Sequence, residues 1–407
     1  MYGIMDAIEI LAALSTPAGR ADPYPLYARL HEVGEAIQAG PRDVLVVGYE
    51  AISSVLRDPG FLAYDEVLFD RHFPIWRESA AYVQVADWIS NVNEPRHSRI
   101  RSLIARAFTA RRIAGLKPAI ARLTDELLDA MADRGADGSA VDFMHDFAYL
   151  LPVTLLCELI GIPEVDRQWF QPIARDLVGV FELTDMETLP VMNAAAFQAL
   201  DYFTVLAAKR RADPGDDLLS DLLAISDSDA GRLTSGELLH NLTMLMVVGF
   251  ESTTYLLGNG LQIVLQDPAA GAALRAGSVP PAAFVEEVLR FDPPVQYTRR
   301  VGYDTSVGGV PVSGRTGLMV MLAAGNRDPR RFADPAKFDP LRPDSGPLSF
   351  GGGAHFCIGA ALARLEGAQA FPRLLNRFPE IAPAGEPVRR DRLIFLRGFD
   401  ALPVTIN

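Results

Sequence analysis

The sequence is poor in cysteine, with two in 407 residues, Cys157 and Cys357. Thiols that far apart build neither a disulfide framework nor the close ligand spacing of a zinc site. Such usage suits a reducing cytoplasm. Positive charge is also short: 38 Lys and Arg stand against 51 Asp and Glu, for a net charge of −13. That balance argues against general nucleic-acid binding and predicts an anionic surface. Long hydrophobic runs are missing. The most apolar internal run, Phe147 to Pro163, carries Glu158 and two prolines and is too short to span a bilayer. Met1–Asp6 lacks a basic leader region, and Asp6 and Glu9 interrupt the apolar residues after it. The expectation is a cytoplasmic protein without a membrane partner. Internal repeats and low-complexity linkers are absent too, so composition marks no domain boundary within 1–407.

What is present is a large potential core, with 49% hydrophobic residues. Helical apolar spacing recurs from Tyr49 to Leu56, from Leu116 to Met131 and from Leu150 to Ile162. Short apolar or alternating runs at Val44–Val47, Val307–Val312, Leu318–Leu322, Leu393–Leu396 and Leu402–Ile406 predict a few strands. The fold class expected is mainly α with a minor β component. Residues 61–92 are weakly periodic and crowded with rings, as in an extra core layer or a functional lid. Cys157 lies in an apolar helical run and is read as a core residue.

Chemistry concentrates in four places. The first is Phe350-Gly351-Gly352-Gly353-Ala354-His355-Phe356-Cys357-Ile358-Gly359, where glycines let the backbone turn tightly just before a helical pattern. A helix N-terminus stabilises an anionic sulfur, so Cys357 is a candidate soft metal ligand. A buried inert thiol and a Cys357–His355 nucleophile pair are the alternatives. The second is 96–112, where six arginines occur without one acidic residue. His97 and Arg101 share a helix face there, and arginine can grip carboxylates bidentately. The remaining arginines would offer a basic patch to an acidic partner. The third is a long apolar helix opened by Ser235 and Glu237 and running to about Gln266, with Gly249, Glu251, Ser252, Thr253 and Thr254 in its middle. Such groups in an apolar helix need partners if buried. Ser252 and Thr253 both lie near the face of Gly249. The fourth is Glu287 with Arg290, three apart near a helix end.

Taken together, these motifs resemble the cytochrome P450 family. Phe350, Gly351, Gly353, His355, Cys357 and Gly359 match its haem-binding loop, and Glu94-Pro95-x-His97-x-x-x-Arg101 is similar to its propionate-binding helix. The run through Gly249 and Glu251 resembles its oxygen-side helix. Val248 stands where a smaller residue is usual, and Ser252 where threonine is usual. Glu287-x-x-Arg290 matches its structural pair, with Arg342 as third partner.

The resemblance covers essentially the whole chain and implies one domain, 1–407, of the cytochrome P450 fold. It implies haem b (iron protoporphyrin IX) with Cys357 as axial ligand. His355, Arg300 (or neighbouring Arg299), His97 and Arg101 would neutralise the propionates, and Glu251 with Ser252 or Thr253 would deliver protons. The implied activity is a haem-thiolate monooxygenase hydroxylating or epoxidising a largely apolar small molecule of secondary metabolism. Met246, Val248, Val295, Ile394 and Phe395 would be pocket walls. With no room for a redox domain, electrons would come from a ferredoxin and ferredoxin reductase. Oxidative coupling, peroxide-driven chemistry and a non-catalytic haem-thiolate sensor are the competing expectations.

Overall fold

The computed structural model describes residues 2–181, 187–228, 233–343 and 345–406. The chain divides into two compact units. One comprises Met1–Leu62, Lys117–Leu151 and Ser252–Asn407; the other comprises Ala63–Leu116 and Pro152–Glu251.

The first unit holds the strands that matter for the site. Ala36–Gly40 pairs antiparallel with Asp43–Val46, which runs parallel to Gly317–Val320, and that strand pairs antiparallel with Thr298–Val301. Side chains alternate across a strand. Val44, Val46, Leu318 and Val320 accordingly pack on one face with Ile52, Val55 and Leu56 of helix Tyr49–Arg57. Leu45 and Val47 pack on the other face with Ile10, Leu14, Tyr27, Leu30 and Tyr297. Both faces are buried, which explains the unbroken apolar run Val44–Val47.

Helices Pro281–Phe291 and Ala360–Arg377 form the other packing centre of this unit. Phe284 meets Phe371 edge-on with ring centroids 5.0 Å apart. Gly260 leaves room for the Phe371 ring, because a Cβ there would collide with it. Arg373 reaches Asp125 of helix Lys117–Arg134 at 2.8 Å.

The second unit is built on helices. Leu189–Ala212 packs against Arg167–Leu177, Ala80–Ala86, Leu218–Ser228 and Ser235–Gly249. By length and composition Leu189–Ala212 is apolar enough to cross a membrane, the one such helix among the described residues. Met192, Ala195, Ala196, Ala199, Phe203 and Leu206 bury its inner face. Cys157 is also interior here, and burial pushes its thiol up to about 12.

Several expectations are corrected. Residues 61–92 are more regular than predicted, with short helices at Glu66–His72, Trp76–Glu78 and Ala80–Ala86. Their rings pack on one another, with Phe73 4.5 Å from Tyr82 and Phe69 5.5 Å from Trp76. Leu393–Leu396 is not a strand: only Leu396 makes a bridge, to Val295. The long helix begins at Ser235, but its cap is Thr234, whose side chain and that of Glu237 form a reciprocal capping box. It is also broken in two. Ser235–Gly249 ends at Phe250, with φ −114° and ψ −35°, and Glu251–Gln266 follows.

Glu287, Arg290 and Arg342 meet in the first unit. Arg290 Nη2 lies 2.7 Å from Glu287 Oε1, with both side chains at most 1% exposed, and Arg342 Nε lies 3.6 Å from the same oxygen. Arg290 also donates to the carbonyls of Asn326, Pro335 and Lys337, each at 3.0 Å. Removing one member of such a pair strands the other charge in the interior. Arg290→Ala is therefore expected to cost about 3–5 kcal/mol, read as a lowered denaturant midpoint.

Candidate functional site

In the first unit the Gly-rich segment forms a loop that ends at helix Ala360–Arg377. Gly351 and Gly353 have φ of 70° and 60°, where any side chain would strain the backbone. At Gly353 a Cβ would also collide with the carbonyl oxygen of Leu56. The Cys357 N–H donates to the Phe350 carbonyl at 2.9 Å, so the loop closes on itself around the thiol. Cys357 is exposed and lies two residues before Gly359, the helix N-cap. His355 ends the short turn Gly353–His355 and is half-buried. Arg364 stacks over the Phe350 ring at 4.4 Å and pairs with Glu286, tying loop to scaffold. Arg364 was missed in the sequence, since nothing local joins it to a residue 78 positions earlier.

Arg299 and Arg300 sit on strand Thr298–Val301, opposite Met319 and Leu318. Neighbours on a strand point to opposite faces. Arg299 lies over the Tyr297 ring, 5.2 Å from its centroid, and donates to the Tyr297 hydroxyl at 3.2 Å. Arg300 is 6% exposed, and its hydrogen bonds go to neutral oxygens, Thr298 Oγ1 at 3.3 Å and the Arg299 carbonyl at 2.8 Å. Burial alone lowers its pKa to about 10. A desolvated guanidinium with only neutral acceptors suits an anionic ligand. Together with an exposed thiol ahead of a helix N-terminus, that donor chemistry fits haem, whose carboxylates need cations and whose iron takes a thiolate.

Ser252 and Thr253 lie in the first turn of Glu251–Gln266. Thr253 is 3% exposed, whereas Ser252 is half-buried and the more accessible hydroxyl. Val295 is half-buried against the Val44–Val320 face, and Ile394 and Phe395 are partly buried against the opposite one.

The second unit carries the remaining candidates. His97 and Arg101 are on helix Arg96–Ala107; His97 is 2% exposed, with Nδ1 3.4 Å from Glu94, and Arg101 is half-buried. Gly249 ends its helix, and a Cβ there would lie 2.8 Å from Leu156 Cδ2. The glycine thus admits Leu156, a partner that sequence reasoning did not name. Glu251 is buried at 6% exposure. Val248 is half-buried, while Met246 at 2% exposure offers little surface to a ligand.

The basic patch predicted over 96–112 is largely neutralised by distant acids. Arg96 Nε is 2.8 Å from Glu237 and its Nη2 is 2.7 Å from Asp87; Arg99 Nη2 is 2.6 Å from Glu237. Arg112 pairs with Asp221. Arg106 and Arg111 are exposed. Glu237 and Asp221 lie 138 and 109 positions from Arg99 and Arg112, too far for a local window to find, and Asp87 lies nine positions from Arg96, before the run begins.

Burial would raise the pKa of Glu237, but bonds from Arg99, the Thr234 N–H and Arg96 bring it down to about 2 from 4.5. A depressed folded-state pKa stabilises the fold above the unfolded value and loses that contribution as pH falls. Glu237→Gln should therefore narrow the stability gap between neutral pH and pH about 2, checked by unfolding across that window. Gly249→Ala should cost about 1–3 kcal/mol by overpacking, with partial recovery on adding Leu156→Val. A double-mutant cycle reads that coupling.

A model of the family described as "Cytochrome P450" matches residues 282–397. The chain is 39% identical to cytochrome P450 monooxygenase PikC of Streptomyces venezuelae, over 94% of this chain and 91% of that protein. It is 34% identical to 6-deoxyerythronolide B hydroxylase of Saccharopolyspora erythraea, over 97% and 98% of the two chains. Among solved structures, ligand-free Mycobacterium smegmatis CYP164A2 superposes with a TM-score of 0.87 at 33% identity, covering 98% of this chain and 100% of that one.

Proposed function

The chain belongs to the cytochrome P450 family, and from that membership we propose that Cys357 is the thiolate that would hold the iron of its haem b. The protein is an oxidoreductase, a P450 monooxygenase, which acts on small molecules and draws electrons from redox partners. The observation that carries the ligand assignment is the contrast between the two thiols. Cys357 is exposed at a glycine-shaped loop before a helix N-terminus, while Cys157 is buried and its thiol is pushed up to about 12. A thiolate ligand gives the haem the electron density that favours O–O cleavage.

The chain's own residues would then divide the remaining work. Arg300 is the cation for one haem carboxylate, with His355, His97 and Arg101 as further donors to the propionates. Arg299 is occupied at Tyr297 and plays the lesser part. Ser252 is the hydroxyl that holds a proton on the substrate side, with Glu251 behind it and Thr253 as the alternative. Val248, Val295, Ile394 and Phe395 form apolar walls, and Met246 backs them from the core. Glu287, Arg290 and Arg342 keep the meander ahead of the cysteine loop in place. The whole chain would act as one catalytic domain.

We further infer that the reaction is hydroxylation or epoxidation of a largely apolar compound of secondary metabolism. The name of 6-deoxyerythronolide B hydroxylase supports that substrate class. A ferredoxin with its reductase is the proposed electron source, and the cytoplasm the proposed location. The net charge of −13 and the reducing-compartment cysteine usage support the latter.

The reduced carbon monoxide difference spectrum tests the ligand. Wild type should give the red-shifted Soret band of thiolate ligation, and Cys357→Ser should lose it; an unchanged band would remove Cys357 from the role. With ferredoxin and reductase supplied, Ser252→Ala should release several-fold more peroxide per reductant consumed, while Thr253→Ala stays near wild type. The reverse result would exchange the two hydroxyls. Product formed from peroxide alone would favour the peroxide-driven alternative.

A further inference from the structure

Two segments of the first unit carry three of the proposed pocket walls: Asp292–Gln296, with Val295, and Ile394–Arg397, with Ile394 and Phe395. They are joined crosswise by backbone bonds. The Gln296 N–H donates to the Phe395 carbonyl at 2.9 Å, the Arg397 N–H donates to the Pro294 carbonyl at 2.8 Å, and Val295 bridges Leu396. Neither segment is a long strand, so this short ladder alone leaves their ends poorly fixed.

The ends are held by buried side chains. Asn259 is fully buried, and its Nδ2 donates at once to the Asp292 carbonyl at 2.9 Å and the Arg397 carbonyl at 3.2 Å, one on each segment. It lies seven residues after Ser252 on helix Glu251–Gln266, two turns along and on nearly the same face. Its Oδ1 is buried without a hydrogen-bond partner. An unmet buried acceptor is costly, and a leucine of similar size would avoid that cost. What the amide supplies, and leucine cannot, is a forked donor to two backbone segments.

A second set of groups reaches the same segments from the N-terminal region. Tyr24 and Arg397 both donate to Asp292 Oδ1, at 2.5 and 2.6 Å. Arg397 also donates to the carbonyls of Arg20 and Ala21, at 2.8 and 2.9 Å. The Tyr27 hydroxyl donates to Gln296 Oε1 at 2.8 Å, and Gln296 Nε2 donates to the Pro293 carbonyl at 2.6 Å. A small cavity of about 10 Å³, room for about one water, is lined by Ile394, Leu396, Tyr27 and Gln296 among others. Polar bonds thus hold the ends of both wall segments.

We propose that Asn259, supported by Tyr27, is a specificity-positioning residue: it fixes the separation of the Val295 and Phe395 segments from each other and from the helix that carries Ser252. It touches no reacting atom; it acts through the walls. This deepens the proposed function and rests on the reading of Val295, Ile394 and Phe395 as walls.

Two azoles of different size test it on the holoenzyme. Imidazole is small enough to meet the haem iron without filling the pocket, whereas econazole has to fit between the walls. Optical titrations of wild type, Asn259→Leu and Tyr27→Phe give a dissociation constant for each. In Asn259→Leu the econazole-to-imidazole ratio is expected to change by about tenfold, and in Tyr27→Phe by about threefold in the same direction. Imidazole affinity should stay within about twofold. A merely structural role would lower thermal stability and leave the ratio unchanged, and that result overturns the proposal. Parallel movement of both affinities overturns it too. If Asn259→Leu does not fold, Tyr27→Phe decides by the same criterion. No optical response of the wild type to imidazole would overturn the haem assignment itself, which an unchanged ratio would leave standing.

Discussion

The constraint on which the first unit most depends is the burial of Glu287 with Arg290. Neither charge has solvent to fall back on, so every remaining hydrogen-bonding position must be filled by the chain. Arg290 fills its own with three backbone carbonyls, and Glu287 Oε1 accepts the Asp339 N–H at 2.8 Å. Those bonds fix the irregular stretch after Asn326. Asn326 in turn accepts the Leu348 N–H at 2.7 Å and donates to Ser349 Oγ at 2.8 Å, the two residues ahead of Phe350. A buried ion pair thus holds, through one asparagine, the loop that presents Cys357. The same argument explains why a stretch with so little regular structure keeps a defined course.

How much of this was legible in the sequence depended on whether the physical cause was local. Gly351 and Gly353 could be read because a glycine run before a helix announces positive φ, and both have it. The Glu287–Arg290 spacing could be read because i,i+3 neighbours meet on a helix. The pairing of Arg96 and Arg99 with Glu237 could not, since 138 or more positions separate them and only folding brings them together. The run 96–112 therefore looked far more basic than it is. The Leu393–Leu396 run failed for another reason. Its backbone makes one isolated bridge, Leu396 to Val295, too short to count as a strand, and β-propensity says only that a residue suits a half-buried surface.

The break between helices Ser235–Gly249 and Glu251–Gln266 accounts for both the glycine and the hydroxyls around it. Gly249 is followed by a break at Phe250, and the space its Cβ would occupy is taken by Leu156. Packing alone therefore demands glycine. A helix that stops one residue later also leaves backbone carbonyls outside the i→i+4 pattern, and such groups need partners of another kind. The hydroxyls at Ser252, Thr253 and Thr254 fall immediately after that break, where a polar side chain costs the helix least. A sequence of polar residues that looks misplaced in one long helix is well placed at the start of a second.

Electrostatics separates residues that serve the scaffold from residues that serve a ligand. The scaffold arginines are matched by carboxylates: Arg290 by Glu287, Arg397 by Asp292, Arg99 by Glu237. Burial opposes the charge on Asp292, yet Arg397 and Arg389 hold its carboxyl below the usual range. Arg300 is different. It too is buried, its hydrogen bonds go to neutral oxygens, and burial alone pulls its pKa down. In a protein with 51 acidic residues, an internal carboxylate beside Arg300 would have been easy to supply. Leaving that position to neutral acceptors costs stability unless an anion from outside the chain completes it. If the carboxylates of haem meet that need, as proposed, cofactor binding and the electrostatic stability of this strand are expected to rise and fall together.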